Sequence, residues 1–152
     1  MIAFLCFTSS AQDAKQEKKA EQAAGVKKMV EGKSYVIKVE SAMPSGGRKI
    51  HLSPGYMLTV SGDTLMIDLP YYGRAYSPAG AGEGGYNFTS TSFEYSVTER
   101  KKGGWDIEIK VKDRQENPRF TLTIFENGTA SLMVTAMTRE NISYTGYVEE
   151  KK

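Results

Sequence analysis

Trp105-Asp106-Ile107-Glu108-Ile109-Lys110-Val111 alternates apolar and charged residues without a break. A period of two puts Trp105, Ile107, Ile109 and Val111 on one face of an extended strand, and Asp106, Glu108 and Lys110 on the other. Such a strand has one buried face and one wet face, and it belongs in an antiparallel sheet laid over a core. The same period continues on either side. It runs through Tyr35, Ile37 and Val39; Ile50 and Leu52 around His51; Tyr56, Leu58 and Val60; and Leu65, Ile67 and Leu69. Phe93, Tyr95 and Val97 follow, then Phe120, Leu122 and Ile124; Leu132, Val134 and Ala136; and Ile142, Tyr144 and Val148. These runs make eight or nine short strands.

Turn chemistry fixes the connections, because apolar residues must meet across each pair. Gly62-Asp63 is a two-residue loop that pairs Val60 with Leu65 and Leu58 with Ile67. A three-residue loop Glu126-Asn127-Gly128 places Ile124 opposite Ala130 and Leu122 opposite Leu132. For Lys102-Gly103-Gly104, with Gly104 left-handed, Val97 is expected opposite Ile109, Glu94 opposite Lys112 and Arg100 opposite Asp106. Met137 to Asn141 closes the last hairpin. A meander this long, apolar on one face, buries that face by curling on itself, which also removes its edges. The expected fold is mainly β: an antiparallel meander closing into a lipocalin-like up-and-down barrel of 8–9 strands, with one N-terminal helix. An open, curved sheet wrapped on the helix is the alternative.

The helix is expected from Asp13 to about Gly32. Asp13 and Gln16 suit a capping box, and Ala, Gln, Glu and Lys dominate the interior. Ala20, Ala23, Val26 and Val30, with Met29 beside them, form a thin apolar stripe, and Gly32 is a suitable C′ residue. Ahead of the helix, Ile2 to Phe7 is an apolar run followed by small residues at Ser9 and Ala11. That pattern reads as the tail of a secretory signal whose start lies upstream of Met1, with cleavage between Ala11 and Gln12. Cys6 follows Phe4-Leu5, a poor match to a lipoprotein site. The expected organisation is therefore 1–11 signal remnant, 12–33 helix and 34–150 β-barrel, with a periplasmic or secreted location.

Composition narrows the chemistry. The chain has 152 residues, 39% hydrophobic and 25% charged, which suits one globular domain. Its formal net charge of +2 is too small for a strong electrostatic footprint on nucleic acid. One His and one Cys exclude a zinc site built from His and Cys alone within one chain. They also exclude Ser-His-Asp and Cys-His catalysis unless His51 is the base, and its place between Ile50 and Leu52 points it to the wet face. No run approaches the roughly 20 apolar residues of a membrane span.

The one irregular stretch is Pro70 to Gly85, long for a compact domain. Tyr71, Tyr72, Tyr76 and Tyr86 there suit stacking on a sugar ring or covering an apolar ligand, with Arg74 to fix an anionic group. The same tyrosines also suit a plug in the end of the barrel. Gly80 to Gly85 lacks the Lys-Ser/Thr ending of a phosphate loop. Asp68, Glu94, Asp106 and Glu108 point outward by their phase, which leaves Glu83 as the single acid near the mouth. The expected function is a non-catalytic exported binding module. It would hold an apolar or ring-bearing small ligand at the mouth through Tyr71, Tyr72, Arg74, Tyr76 and Tyr86, without cofactor or metal, as a monomer. A protein-interaction or structural module of the cell envelope is the second expectation.

Gly46-Gly47-Arg48, Leu69-Pro70-Tyr71-Tyr72-Gly73-Arg74-Ala75-Tyr76, Phe88, Phe93-Glu94-Tyr95 and Lys102-Gly103-Gly104-Trp105-Asp106-Ile107 resemble a bacterial exported family catalogued as domain of unknown function 4251. Glu126-Asn127-Gly128 and Gly146-Tyr147 continue the similarity, over roughly Ala20 to Val148. The resemblance implies an exported protein of Gram-negative bacteria with a lipocalin-like β-barrel. It brings no activity and no catalytic residue. The family's members usually carry a longer signal or lipoprotein leader, and the short leader here departs from that.

Overall fold

The computed structural model describes residues 9–45, 47–72, 85–114, 117–137 and 139–151. Helix α1 (Ser9–Glu31) is followed by ten strands. These are β1 (Ser34–Pro44), β2 (Ile50–His51), β3 (Met57–Ser61), β4 (Thr64–Pro70), β5 (Gly85–Ser90), β6 (Phe93–Glu99), β7 (Trp105–Val111), β8 (Arg119–Ile124), β9 (Thr129–Ala136) and β10 (Arg139–Glu150). Nine of them lie in one antiparallel sheet, in the order β5-β4-β3-β1-β10-β9-β8-β7-β6, and β2 adds a short pairing to β1. The meander is thus joined end to end, since β1 pairs with β10 as well as with β3. The sheet curls into a half-barrel whose ladder is open between β5 and β6.

A serine corner sets that opening. Buried Ser90 donates to Asp113 at 2.7 Å and accepts the Ser92 amide at 3.2 Å, while the Lys112 amide bonds the Ser92 carbonyl at 2.9 Å. The chain therefore leaves β5 and turns onto β7, not back along β5. As an edge strand, β6 is only partly covered: Phe93 and Tyr95 are half-buried, and Val97, expected inside, is 41% exposed.

The hairpins with a single compatible loop have the expected registers. Val60 faces Leu65 and Leu58 faces Ile67, and on the other side Ile124 faces Ala130 and Leu122 faces Leu132. The β6–β7 hairpin differs: Val97 faces Ile107, and Glu94 faces Lys110. The Arg100 amide bonds the Gly104 carbonyl at 3.0 Å, so the three-residue loop is Lys101-Lys102-Gly103, with Gly103 at φ 97°. Gly104 is also left-handed (φ 94°), and a Cβ there would come within 2.5 Å of the Ile124 carbonyl oxygen. A shift of two residues preserves which side chains face inward, so the apolar pattern does not detect it. The expected charge pairs form on the diagonal instead, Lys112 to Glu94 at 2.6 Å and Arg100 to Asp106 at 3.7 Å. Lys112 beside it holds the Glu94 carboxyl below the usual carboxylate range.

The helix begins at Ser9, so Asp13 lies inside it and not at its cap, and it runs through the expected cleavage position. Only its last turns meet the sheet: Val26 and Val30 are buried, Met29 is half-buried and Ala20 is exposed. Its end turns through Lys33 (φ 49°), where Gly32 was expected. Gln22 ties it to the β8–β9 turn by donating to the Asn127 carbonyl at 2.6 Å.

The joint between β1 and β10 is the tightest place in the wall. The register slips between Val39 and Ser41, and Gly146 sits opposite Val39. A Cβ on Gly146 would lie 1.8 Å from the Lys38 carbonyl oxygen and 2.8 Å from the Val39 Cα, so it would meet β1 backbone and not a side chain that could swing away. Gly25, in the exposed middle of α1, has nothing within 4 Å of such a Cβ. Denaturant unfolding should therefore separate the two glycines. Gly146→Ala is expected to destabilise by about 3 kcal/mol or more, and Gly25→Ala to stabilise by about 0.5–1 kcal/mol. Similar small effects at both positions would contradict the close approach.

Candidate functional site

Inward aromatics meet across the interior from opposite walls. Tyr35 on β1 and Tyr95 on β6 share a hydroxyl hydrogen bond at 2.6 Å, and Lys33 sits 5.1 Å over the Tyr95 ring. Burial raises the Tyr35 hydroxyl well above the ordinary tyrosine pKa, reinforced by Tyr95, and burial likewise raises Tyr95. The Phe120 ring lies 6.2 Å from Tyr86 and 6.4 Å from Phe88, which joins β8 to β5. The buried Tyr144 on β10 donates to the Pro70 carbonyl at the end of β4. These almost wholly buried rings occupy interior space that an up-and-down barrel would offer to a ligand.

The tyrosines expected at the mouth separate accordingly. Tyr86 is a residue of β5, not of a loop, and only 1% of it is exposed. Tyr71 is half-buried against the core, stands edge-on to Tyr86 at 5.9 Å, and donates to the Glu140 carbonyl at 3.0 Å. These two rings pack together on the core. Tyr72 stands at the rim, 39% exposed. Arg74, Tyr76 and Glu83 lie outside the described residues. The structure thus brings together Tyr71 and Tyr86 at the core.

A cleft that the alternating pattern does not announce opens near the end of β4. It measures about 260 Å³ and is lined by Leu52, Pro54, Tyr56 and Met57 on one side and by Lys38, Glu40 and Tyr147 on the other. Two hydrogen bonds hold its loop on the β1 bulge: the Val39 amide to the Tyr56 carbonyl at 3.2 Å, and the Leu52 amide to the Glu40 carbonyl at 2.8 Å. The ladder sets Met57 opposite Asp68, so the segment leading into β3 lies where β4 finishes in Pro70. Lys38 is bound to Glu149 at 3.0 Å, and that partner raises its pKa.

The family model for Domain of unknown function (DUF4251) matches residues 17–148. The chain belongs to the DUF4251 family. Among solved structures, the crystal structure of a DUF4251 family protein from Bacteroides eggerthii DSM 20697, at 1.95 Å resolution, is similar to it. The two share 12% identity over 87% of each chain, with a TM-score of 0.66, a likeness of fold. No curated protein matches the chain.

Other features of this DUF4251 chain follow their expected phase. His51 is exposed, and Asp106 and Glu108 lie on the wet face, where Glu108 meets Lys110 at 3.6 Å and Arg119 at 3.4 Å. Among the described residues, no three His, Cys, Asp or Glu side chains gather as metal ligands, and no helix is long and apolar enough to cross a membrane. Two signals in the sequence do point to the cleft. Val39 and Ala42 both face inward although three residues apart, a phase slip that only a bulge permits, and Pro54-Gly55 marks a tight turn beside it.

The buried and the rim tyrosine respond differently to truncation. Tyr86→Ala is expected to cost roughly 3–5 kcal/mol in an unfolding experiment, whereas Tyr72→Ala should stay within about 0.5 kcal/mol. A large loss at Tyr72 would place it in the core as well.

Proposed function

We propose that the protein is a non-catalytic binding module that holds a small, ring-bearing ligand on the outside of its barrel, at the end where β4 finishes. The observation that carries this reading is the cleft of about 260 Å³ with Tyr56 and Tyr147 in its lining. Tyr56 and Tyr147 in the lining suit stacking, Leu52 and Met57 suit apolar contact, and Lys38 and Glu40 suit orientation of a polar group. Burial of Tyr35, Tyr86, Phe120 and Tyr144 in the interior supports a site at this rim in place of the barrel's mouth. A binding role, as against catalysis, is supported by the surface setting of the acids. General acid–base work calls for a desolvated, shifted group in a cleft.

Native mass spectrometry of the protein purified from its host tests this reading. A retained small molecule, lost from Tyr56→Ala and Tyr147→Ala while both variants stay folded, is the expected result. A molecule retained equally by both variants would contradict it.

A second reading, an interaction module of the cell envelope, is favoured by methionines on the wet faces: Met43, Met66 and Met133 are each about half exposed, and Met137 is 71% exposed. Retention of a protein in place of a small molecule would support it.

We also infer export to the periplasm or medium, supported by the apolar run Ile2–Phe7 and the small residues Ser9 and Ala11. N-terminal sequencing of protein from host cells should begin at Gln12. A chain beginning at Met1 would contradict export by cleavage.

A further inference from the structure

We propose that the ligand of the Lys38–Tyr147 cleft is a neutral sugar, the pyranose end of a glycan; this rests on the reading of the cleft as the binding site. Three properties of the cleft select that chemistry.

The first is its mixed lining. Leu52, Pro54, Met57 and the rings of Tyr56 and Tyr147 are apolar, and Lys38 and Glu40 stand among them. A purely apolar ligand would desolvate the charged groups without replacing their hydrogen bonds. A pyranose has an axial C–H face that stacks on a tyrosine ring and an equatorial belt of hydroxyls that a carboxylate and an ammonium can bind. Both demands are met at once.

The second is charge. Glu149, at 3.0 Å, offsets the Lys38 ammonium. Glu40 is exposed and makes no ion pair among the described residues. The local balance is Lys38 against Glu149 and Glu40, one net negative charge. That repels a phosphate, sulfate or carboxylate and leaves the Glu40 oxygens to accept from adjacent hydroxyls, a charge-assisted geometry.

The third is size and access. A cleft of about 260 Å³ is smaller than the roughly 300–1,000 Å³ of pockets for drug-sized ligands, so it suits a single ring. At its lip, Gly55 presents bare backbone with nothing within 4 Å of where a Cβ would stand. The rest of a glycan chain can leave over that side.

Amide NMR spectra of the full chain, titrated separately with methyl β-glucopyranoside, methyl β-galactopyranoside, glucuronic acid and phenol, test the inference. A neutral glycoside is expected to shift the amides of residues 38–40, 52–57 and 147 saturably. Glucuronic acid should bind roughly threefold more weakly, the scale of one screened charge, and Glu40→Gln should abolish that discrimination. Glu40 is exposed, so this variant leaves the fold intact. If phenol shifts these amides and no glycoside does, the sugar inference is overturned while the ring-binding reading stands. If none of the four shifts them, both fall. Glucuronic acid binding as tightly as the neutral glycosides would overturn the charge argument, and with it the choice of a neutral sugar.

Discussion

Strand β1 has to serve two neighbours at once, and the rest of the molecule depends on how it does so. Its first half pairs with β3 and its whole length pairs with β10, which joins the two ends of the meander. A twisted strand cannot keep both ladders straight over eleven residues, and the register slips at Glu40. The slip re-aims the strand so that Val39 and Ala42 both face the core. It also brings the Lys38 carbonyl onto β10 so closely that only glycine fits at position 146. On the outer side the bulge leaves β1 amide and carbonyl groups for the Leu52–Tyr56 loop to bind, and the cleft is the space under that loop. One local irregularity thus lies where the two ends of the meander join, re-aims the inward side chains and shapes the candidate site.

The core explains why binding is sought outside. A small half-barrel has little interior volume, and this one places Tyr35, Tyr86, Tyr144 and Phe120 within it, each with less than 2% of its surface exposed. Buried tyrosines keep their hydroxyls satisfied by reaching across: Tyr35 to Tyr95, Tyr144 to the end of β4. These contacts tie together strands that share no ladder. They hold the curl that hydrogen bonding between β5 and β6 does not supply.

Much of the fold was legible because a period of two is a direct record of which face is buried. The β3–β4 and β8–β9 hairpins could be written down to the residue, since each had one loop length that matched apolar partners. The β6–β7 hairpin could not, because two adjacent glycines allow more than one loop there and a two-residue shift leaves every side chain on its face. The glycines and tyrosines before strand β5 hide it in the sequence, where Tyr86 reads as a continuation of the loop and not as core. Helix α1 includes Ser9 to Gln12, four residues that the cleavage pattern does not mark as helical. The candidate site was legible only in part. Tyrosines concentrated near Pro70 point to the end of the barrel beside the cleft, and two of them, Tyr71 and Tyr86, pack on the core. The cleft residues come from separate strands and meet only through the bulge.

Xenon reports directly on whether the interior is packed, since it enters dry apolar cavities and leaves packed cores empty. A crystal structure of the protein under xenon pressure should show no xenon among Tyr35, Phe120 and Tyr144. Xenon density between those rings would reveal a hollow barrel and return the binding site to its centre.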